Sequence, residues 1–362
     1  MKKILIISFC TGGMMKDQFV EYCSEFANKE YEIHCLTNDD VDNKKINATS
    51  ILNLRFKRKE PWTYFSISKI RRAKKYIRDV TPDLVFLFTP HPVNIFIFKT
   101  IRKYLVLTQI HDPVPHSGNS LLDKIVLKIQ LKICYKYSNF FSVAGDSLKN
   151  EIIKKFSVAP NRIFTIPLAL LPSRKLPLAK INSNKTIDIL FYGRIEYYKG
   201  LDVLMNALEL TERSLNVVIA GKGNVYFKIP KCKSNIKIIN DYVSNENILT
   251  MIQNAKLVVL PYRDASGTMI VSEVFYCGTP IVATDVGVLK EYVGDCGIVV
   301  PPNNPHSLIS AILQMLDDDE LRKNMANKTI YLIDNYFDIC RVCNTYSSLF
   351  LDLINGEIHE KM

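Results

Sequence analysis

Short apolar runs alternate with amphipathic segments of helical length along most of the chain. The runs of the first half are KKILIISF, YEIHCLT, DLVFLF, YLVLTQI, NFFSVA and RIFTIP, and those of the second half are IDILFYG, LNVVIAG, NIKIIN, KLVVLPY, TPIVAT and CGIVV. Apolar residues are nearly continuous within each run, which is typical of strands buried on both faces of a parallel sheet. The pattern predicts an α/β protein with two Rossmann-like, doubly wound parallel-sheet domains in tandem.

The alternation breaks at residues 167–185, where Pro, Ser and Asn accumulate in PLALLPSRKLPLAKINSNK. We interpret this stretch as the linker that ends a first domain, residues 1–182, and precedes a second domain, residues 183–335. The chain has 362 residues, enough for each domain to bury a core of its own. Residues 336–362 continue as a helical pattern with no strand after it, and we expect them to pack back toward the first domain. Two such sheets would face each other across a cleft that is lined by the loops after their strands.

The net charge of +11 is unevenly distributed. Residues 1–182 contain 30 Lys and Arg against 15 Asp and Glu, whereas the remainder contains 17 against 21. Much of the surplus lies in SISKIRRAKKYIRD and LLDKIVLKIQLKICYKY, and in the second segment a Lys recurs every four residues, at Lys124, Lys128, Lys132 and Lys136. Basic residues interleaved with aliphatic ones favour an anionic membrane surface, and not nucleic acid, as the partner. The alternative is that these are ordinary crossover helices whose lysines face solvent.

The remaining composition bears on the compartment. No apolar run approaches the roughly 20 residues needed to span a bilayer. The opening MKKILIISFC runs into Gly12 and Gly13 without a cleavage pattern, so we interpret it as a first strand. The nine cysteines are scattered apart from Cys340 and Cys343, which match no metal or redox motif. We expect a cytoplasmic protein with reduced thiols, either soluble or peripheral on the inner face of the membrane.

Two cations follow the first strand of the second domain, in FYGRIEYYKG. Gly193 allows close backbone approach, while Arg194 offers a planar fork and Lys199 a compact charge for phosphate oxygens. The pair suits a diphosphate, although two ordinary surface ions would give the same pattern. VVIAGKGN is a weaker signal of the same kind, and it places Gly221 after the next strand.

Two acids and a tight turn lie in YRDASGTMIVSEVFYCGTP, which overlaps the end of the strand KLVVLPY. Gly267 and Thr268 are predicted at the N-terminus of a helix, where free backbone N–H groups favour an anion. Glu273 lies within that helix among apolar residues, and a buried carboxylate needs a fixed partner. The vicinal hydroxyls of a ribose would provide one.

These segments resemble the nucleotide-sugar domain of glycosyltransferase family 4, the group 1 glycosyltransferases, which are retaining enzymes with the two-domain GT-B fold. The resemblance covers FYGRIEYYKGLDVLMNAL, VVIAGKG, NAKLVVLPYRDASGTMIVSEVFYCGTPIVATDVGVLKEYV and CGIVVPPNNP, in the family's order and spacing. The roles that it implies are pyrophosphate binding for Arg194 and Lys199, ribose binding for Glu273, a place near the donor hexose for Asp264, and backbone contact with the phosphates for Gly267, Thr268 and Met269.

The resemblance is weaker in the first half. Gly12 and Gly13 fall where the family has a glycine loop over the donor phosphate and the acceptor. His111, in TQIHDPVPHSG, falls where family members often have a histidine beside the sugar. A buried structural histidine is the alternative for His111.

The sequence departs from the family between the two acids. Eight residues separate Asp264 from Glu273 where the family has seven, the first acid is the shorter Asp, and Ala265 stands at the family's spacing. We interpret this as a variant turn that leaves the site intact and affects the contact with the donor sugar.

The resemblance implies transfer of a hexose-type sugar, with retention of configuration, from a nucleotide-diphosphate sugar to a glycan or polyprenyl-diphosphate-linked acceptor in surface polysaccharide synthesis. It implies no metal, because Arg194, Lys199 and helix dipoles would neutralise the leaving diphosphate. Two other classes stay open. A nicotinamide-dependent oxidoreductase would share the sheets, but no G-x-G-x-x-G follows the first strand. A non-catalytic accessory subunit of the same fold would bind sugar nucleotide or glycan without transfer.

Overall fold

The computed structural model describes residues 1–9, 13–27, 29, 31–38, 43–56, 64–174 and 185–357. The chain divides into two compact units. The first comprises residues 1–115, 120–167 and 339–362, and the second comprises residues 116–119 and 168–338. Each unit therefore contains pieces of chain that are distant in sequence.

The first unit is built on a parallel sheet that has seven strands among the described residues, in the order β3-β2-β1-β4-β5-β6-β7. The strands are β1 (Lys2–Ser8), β2 (Tyr31–Thr37), β3 (Ser50–Asn53), β4 (Leu84–Leu87), β5 (Leu105–Gln109), β6 (Phe140–Val143) and β7 (Ile163–Thr165). The interior strands are almost fully buried, as their continuous apolar runs predict.

Six helices connect these strands within the described ranges. They are α1 (Met14–Phe26), α2 (Asn43–Ile46), α3 (Ile67–Val80), α4 (Asn94–Ile101), α5 (Leu121–Tyr137) and α6 (Asp146–Phe156). Ile77 of α3, Ile97 of α4 and Cys134 of α5 belong to one buried cluster with Val85 and Val106 of the sheet. Helices α3, α4 and α5 therefore cover the same face of the first sheet.

The second unit has a parallel sheet with six strands among its described residues, in the order β10-β9-β8-β11-β12-β13. The strands are β8 (Ile187–Tyr192), β9 (Asn216–Ala220), β10 (Asn235–Ile239), β11 (Ala255–Leu260), β12 (Ile281–Thr284) and β13 (Gly297–Val300). The helices of this unit are α7 (Leu201–Glu209), α8 (Asn245–Asn254), α9 (Ile270–Tyr276), α10 (Leu289–Val293), α11 (Pro305–Asp317) and α12 (Asp319–Leu332).

The chain then returns to the first unit through a π-helical turn, Ile333–Phe337, and a last helix, α13 (Ile339–Asn355). Helix α13 packs against α1, and the ring of Phe350 lies 5.3 Å from that of Phe26. The Tyr31 hydroxyl and Ser347 Oγ are hydrogen-bonded at 2.6 Å.

The strand order of the second sheet determines where its loops converge. The order reverses between β8 and β11, which are direct neighbours, and the loops that leave such a pair diverge to opposite sides of the sheet. This divergence opens a crevice at the carboxyl edge, where open α/β sheets bind ligands. FYGRIEYYKG leaves β8 at this point, and YRDASGT leaves β11.

The fold class predicted from the sequence is confirmed. All twelve predicted strands are present, and α5 has the predicted bounds. Strand β3 was not predicted, because its four residues are only half-buried at the sheet edge and carry no continuous apolar run. The predicted linker, residues 167–185, lies mostly outside the described residues. Among the described residues, no helix combines the length and the apolar character that crossing a bilayer requires.

Two glycines of the second unit differ in how closely other atoms approach them. Gly221 has φ +151°, and a Cβ there would lie 1.9 Å from the carbonyl oxygen of Gly193. Gly278 has φ +64°, but a Cβ there would meet no atom within 4 Å. A side chain at Gly221 would therefore meet both a close atom and backbone strain, whereas one at Gly278 would meet backbone strain alone.

We expect Gly221→Ala to lower the free energy of unfolding by at least about 2 kcal/mol more than Gly278→Ala, whose left-handed φ costs about 1 to 2 kcal/mol. Thermal and urea unfolding of both variants measure the difference. Equal losses for the two would contradict the close approach at Gly221.

Candidate functional site

The loop after β8 positions an exposed cation. Gly193, with φ +119°, donates its N–H to the Ala220 carbonyl at 2.9 Å and thereby ties the exit of β8 to that of β9. The Arg194 side chain is 72% exposed and pairs with Glu196 at 2.7 Å. The guanidinium is therefore accessible to an anion, and its surface ion pair with Glu196 is one that a phosphate can replace.

Lys199, at the end of the same loop, is buried. The Tyr262 hydroxyl lies 2.7 Å from its Nζ, which also lies 4.4 Å from the centre of the Tyr262 ring and 5.6 Å from that of Tyr198. Burial lowers the pKa of Lys199 to about 7; the Arg194 guanidinium also lowers it, and the Glu196 carboxylate raises it. Two neighbouring cations, one of them desolvated, favour the arrival of negative charge.

Glu273 lies in α9 and is 3% exposed. The Tyr192 hydroxyl, at the end of β8, donates to its Oε2 at 3.0 Å. Burial raises the pKa of Tyr192 well above its usual value, and the Glu273 carboxylate raises it further, so this phenol stays a donor. Glu273 thus has the fixed partner that its burial requires, supplied by the neighbouring strand.

The three residues before α9 form the turn that the sequence predicted. Thr268 Oγ1 accepts a hydrogen bond from the Ile270 N–H at 3.3 Å, and the Met269 carbonyl accepts one from the Glu273 N–H at 3.2 Å. Gly267 precedes them, and Met269 is buried. The helix begins at Ile270, two residues later than predicted.

Asp264 binds a segment that the sequence did not single out. Its Oδ1 lies 2.6 Å from Nδ1 of His116, and its Oδ2 accepts the Ser117 N–H at 2.9 Å. The His116 ring stacks on Tyr198, with centroids 4.5 Å apart and planes 12° apart, and its Nε2 lies 3.4 Å from Ser266 Oγ. His116–Asn119 belongs to the second unit, so these contacts lie within that unit.

Arg263 ties the two strand exits together. Its N–H donates to the Tyr198 carbonyl at 2.7 Å, and its guanidinium makes a two-pronged ion pair with Asp202, with one contact of 2.7 Å. The guanidinium also lies over the Tyr197 ring at 4.3 Å. Arg263 thereby positions Tyr197 and Tyr198, and Lys199 comes next in the chain.

The residues predicted in the first half lie in the first unit, where Gly13 precedes α1 with φ +64°. Gly12 lies outside the described residues. His111 follows β5, and its Nε2 is buried with no hydrogen-bond partner among the described residues. Burial lowers the pKa of His111 to about 4, against the Asp112 carboxylate, which raises it, so the imidazole is neutral near pH 7.

His111 also lines a cavity of about 170 Å³ in the first unit. The other lining residues come from α1, from the loops after β4 and β5, and from α5: Met15, Thr89, Pro90, Asp112 and Leu127. Its lining thus combines apolar side chains with the imidazole and a carboxylate.

The structure thus brings most of the predicted residues together within the second unit, in the loops after β8, β9 and β11 and the start of α9: Gly193, Arg194, Lys199, Gly221, Asp264, Gly267, Thr268, Met269 and Glu273. His111 and Gly13 belong to the first unit. Sequence reasoning missed Tyr192, Tyr262 and His116; a second histidine before Gly118 in HDPVPHSG was the one available signal for His116. Within the described ranges, no group of three or more His, Cys, Asp and Glu side chains is placed to hold a metal ion.

Two family models match the chain. The model described as Glycosyl transferases group 1 matches residues 176–330, and the model described as Glycosyl transferase 4-like matches residues 3–109. Together they cover more than half of the chain. An uncharacterized glycosyltransferase of Methanocaldococcus jannaschii is 24% identical over 308 residues, covering 82% of this chain and 83% of its own.

Solved structures give the fold independently. The Anabaena protein HepE in complex with UDP superposes with a TM-score of 0.71 at 12% identity, covering 97% of this chain and 100% of its own. The lipopolysaccharide outer core galactosyltransferase WaaB, in its apo form, gives 0.69 at 14% identity, covering 99% of this chain and 100% of its own. Identities this low show the fold alone. The two family models show that the chain belongs to the group 1 glycosyltransferases, and its two parallel sheets together with these structures show that it has the GT-B fold.

Proposed function

We propose that the protein transfers a hexose-type sugar, with retention of configuration, from a nucleotide-diphosphate sugar to a glycan or polyprenyl-diphosphate-linked acceptor in surface polysaccharide synthesis. The observation that carries the proposal is the pair of cations, Arg194 and Lys199, beside the buried carboxylate of Glu273 where the second sheet reverses its strand order. HepE with UDP supports a nucleotide-diphosphate donor, and WaaB supports a surface glycan as the product.

The diphosphate end of the donor fits the two cations. Arg194 is exposed enough to bind phosphate oxygens with its fork, and Lys199 supplies a desolvated charge. Charge that develops on the leaving diphosphate would be stabilised by both without solvent rearrangement. We therefore propose that these side chains, and not a metal ion, neutralise the leaving group.

The nucleoside end fits Glu273. A carboxylate that is held by Tyr192 inside α9 has a fixed orientation and can accept hydrogen bonds from vicinal ribose hydroxyls. Gly267, Thr268 and Met269, at the N-terminal side of the same helix, would meet the phosphates through backbone N–H groups.

At the other end we assign the donor hexose to Asp264, as the family resemblance implies, and to His116 with it, because the two side chains are hydrogen-bonded. In the first unit we assign the neutral His111 to a sugar hydroxyl, either of the donor or of the acceptor. Gly12 and Gly13 would lie over the donor phosphate, as the family resemblance implies.

The alternative is a non-catalytic accessory subunit of the same fold. The engagement of Asp264 by His116 and Ser117 is the observation that favours it, since a carboxylate committed to the protein contacts sugar less readily. Turnover of labelled donor distinguishes the two functions, because an accessory subunit binds donor without transferring it.

The proposed function is tested with Arg194→Ala and Lys199→Ala, with Lys237→Ala on the exposed strand β10 as the control. Each site variant loses a charge-assisted hydrogen bond worth roughly 1.5 to 3 kcal/mol, so we expect at least a tenfold loss of transfer. The control should transfer normally, and NMR of the product should show retained anomeric configuration. Near-normal turnover of both site variants at saturating donor would refute the phosphate assignment.

The lowered pKa of Lys199 predicts a pH dependence of binding. The free side chain loses its proton above about pH 7, whereas a bound diphosphate restores the charge, so binding takes up a proton. Affinity for the nucleotide-diphosphate sugar, whose esterified diphosphate has no group that titrates near neutrality, should be flat just below pH 7 and fall by up to about tenfold per pH unit above it. Calorimetry in buffers of different ionisation enthalpy measures the uptake. Lys199→Arg stays charged and should lose both effects; proton uptake that persists in this variant would assign the titration to another group.

A last comparison separates the two ends of the donor. Glu273→Ala should weaken binding of nucleotide diphosphate and of complete donor alike, since the lost contact is to ribose. Asp264→Ala and His116→Ala should each weaken binding of the complete donor alone. Because the two side chains are hydrogen-bonded, the double variant should lose no more than one single variant does. Additive losses, or equal losses for Asp264→Ala with both ligands, would show that Asp264 acts in another way.

A further inference from the structure

Helix α5 presents an apolar surface to solvent. Leu121 and Leu122 are each 74% exposed, Ile125 and Val126 are each 46% exposed, and Ile129 is 48% exposed. We call these five residues the α5 ridge. A crossover helix that only covers a sheet has polar residues outward, so this ridge is not explained by packing within the unit.

The ridge lies opposite the packed face of its helix. At 3.6 residues per turn its five side chains span an arc of about 140°, roughly centred across the axis from Leu131 and Cys134. Those two residues are the buried ones of α5. Helix α5 is therefore apolar on the side that covers the sheet and again, over its first half, on the side that faces away.

Two neighbouring helices extend the apolar surface. Phe65 and Ile67, at the start of α3, are each 66% exposed, and Ile95, at the start of α4, is 40% exposed. The Phe65 ring packs against Phe96 of α4 at 5.6 Å, which joins the two helix starts. Helices that connect parallel strands run antiparallel to them, so these starts and the α5 ridge lie toward the carboxyl edge of the first sheet.

The same three helices are strongly basic. They carry six Lys and Arg in α3, one in α4 and four in α5, against the two acids Asp79 and Asp123. Lys128, Lys132 and Lys136 are exposed. Because four residues make slightly more than one helical turn, each successive Lys lies closer in angle to the α5 ridge. Apolar side chains flanked by cations match a surface with an apolar interior and anionic headgroups.

We propose that the α5 ridge, with Phe65, Ile67 and Ile95, inserts into the outer layer of an anionic lipid bilayer. A second copy of this chain fits the surface less well, because a symmetric contact would bring these cations against their own copies. The proposal does not depend on the identity of the donor.

Insertion of the ridge is tested directly with a fluorescent side chain. The sequence has one tryptophan, so Ile125→Trp is made in the full chain together with Trp62→Phe. Ile330→Trp in the same background is the control, because Ile330 is 62% exposed on α12 in the second unit. With vesicles of phosphatidylcholine and phosphatidylglycerol, the Ile125→Trp emission should shift to the blue and be quenched by brominated acyl chains. The control should show neither effect.

Partition to the same vesicles separates the apolar and the electrostatic contributions. Leu122→Ser with Ile125→Ser should lower the partition coefficient at least tenfold at any salt concentration, with unchanged thermal unfolding as the check on folding. Lys128→Gln with Lys132→Gln should lower it at low salt only, because salt screens headgroup attraction.

Three results would overturn the proposal. The first is that the wild type binds no anionic vesicles at low salt. The second is that it binds them while Ile125→Trp remains unquenched. The third is that the serine variants change the oligomeric state in sedimentation while leaving vesicle binding unchanged. The last result would assign the ridge to a second copy of the chain.

Discussion

The close approach of backbone at the exits of β8, β9 and β11 is the constraint on which the site of the second unit depends. A Cβ at Gly200 would lie 2.0 Å from the Pro261 carbonyl oxygen, and one at Gly221 would lie 1.9 Å from that of Gly193. Because residues 200 and 261 touch, their neighbours Lys199 and Tyr262 are brought to hydrogen-bonding distance. The close approach at Gly200 thereby places the Lys199 cation under the loop surface.

This placement has an electrostatic consequence. The groups around Nζ of Lys199 include the Tyr262 hydroxyl and the ring faces of Tyr198 and Tyr262, which stabilise an ammonium less than water does. Besides burial, the like-charged Arg194 guanidinium lowers the pKa of Lys199, against the Glu196 carboxylate, which raises it. Burial and repulsion act in the same direction, and both disfavour the charged form of Lys199. A ligand with two negative charges would offset this, so its affinity would depend on the packing of the tyrosines as much as on the cations themselves.

The sequence predicts the strands of both sheets because a continuous apolar run in an α/β chain is typical of a strand that is buried on both faces of a parallel sheet. It also predicts Arg194, Lys199 and Glu273 as site residues, from two cations after a strand, a carboxylate within an apolar helix, and the family resemblance. Tyr192 and Tyr262 could not be selected in advance, because aromatic residues at strand ends most often belong to the core.

Two other features depend on contacts that no local pattern contains. The partners His116 and Asp264 are separated by 148 positions in the chain. The sequence around each of them gives no indication that the two side chains are paired. The bounds of α5 were predicted correctly, yet which of its two apolar sides faces the sheet is decided by tertiary packing, so the ridge became visible only with the fold.

The chain passes between the two units after residues 115, 119, 167 and 338. This connectivity limits which parts of the chain could be exchanged between related proteins. Exchange of the second half alone between related genes would carry Asp264 and Tyr198 into a chain whose loop after β5 was selected with another turn. The imidazole of His116 would then have to be matched anew. Positions 116, 198 and 264 therefore have to match one another although position 116 lies in the first half of the sequence, and the boundary between the two halves does not coincide with the boundary between the two units.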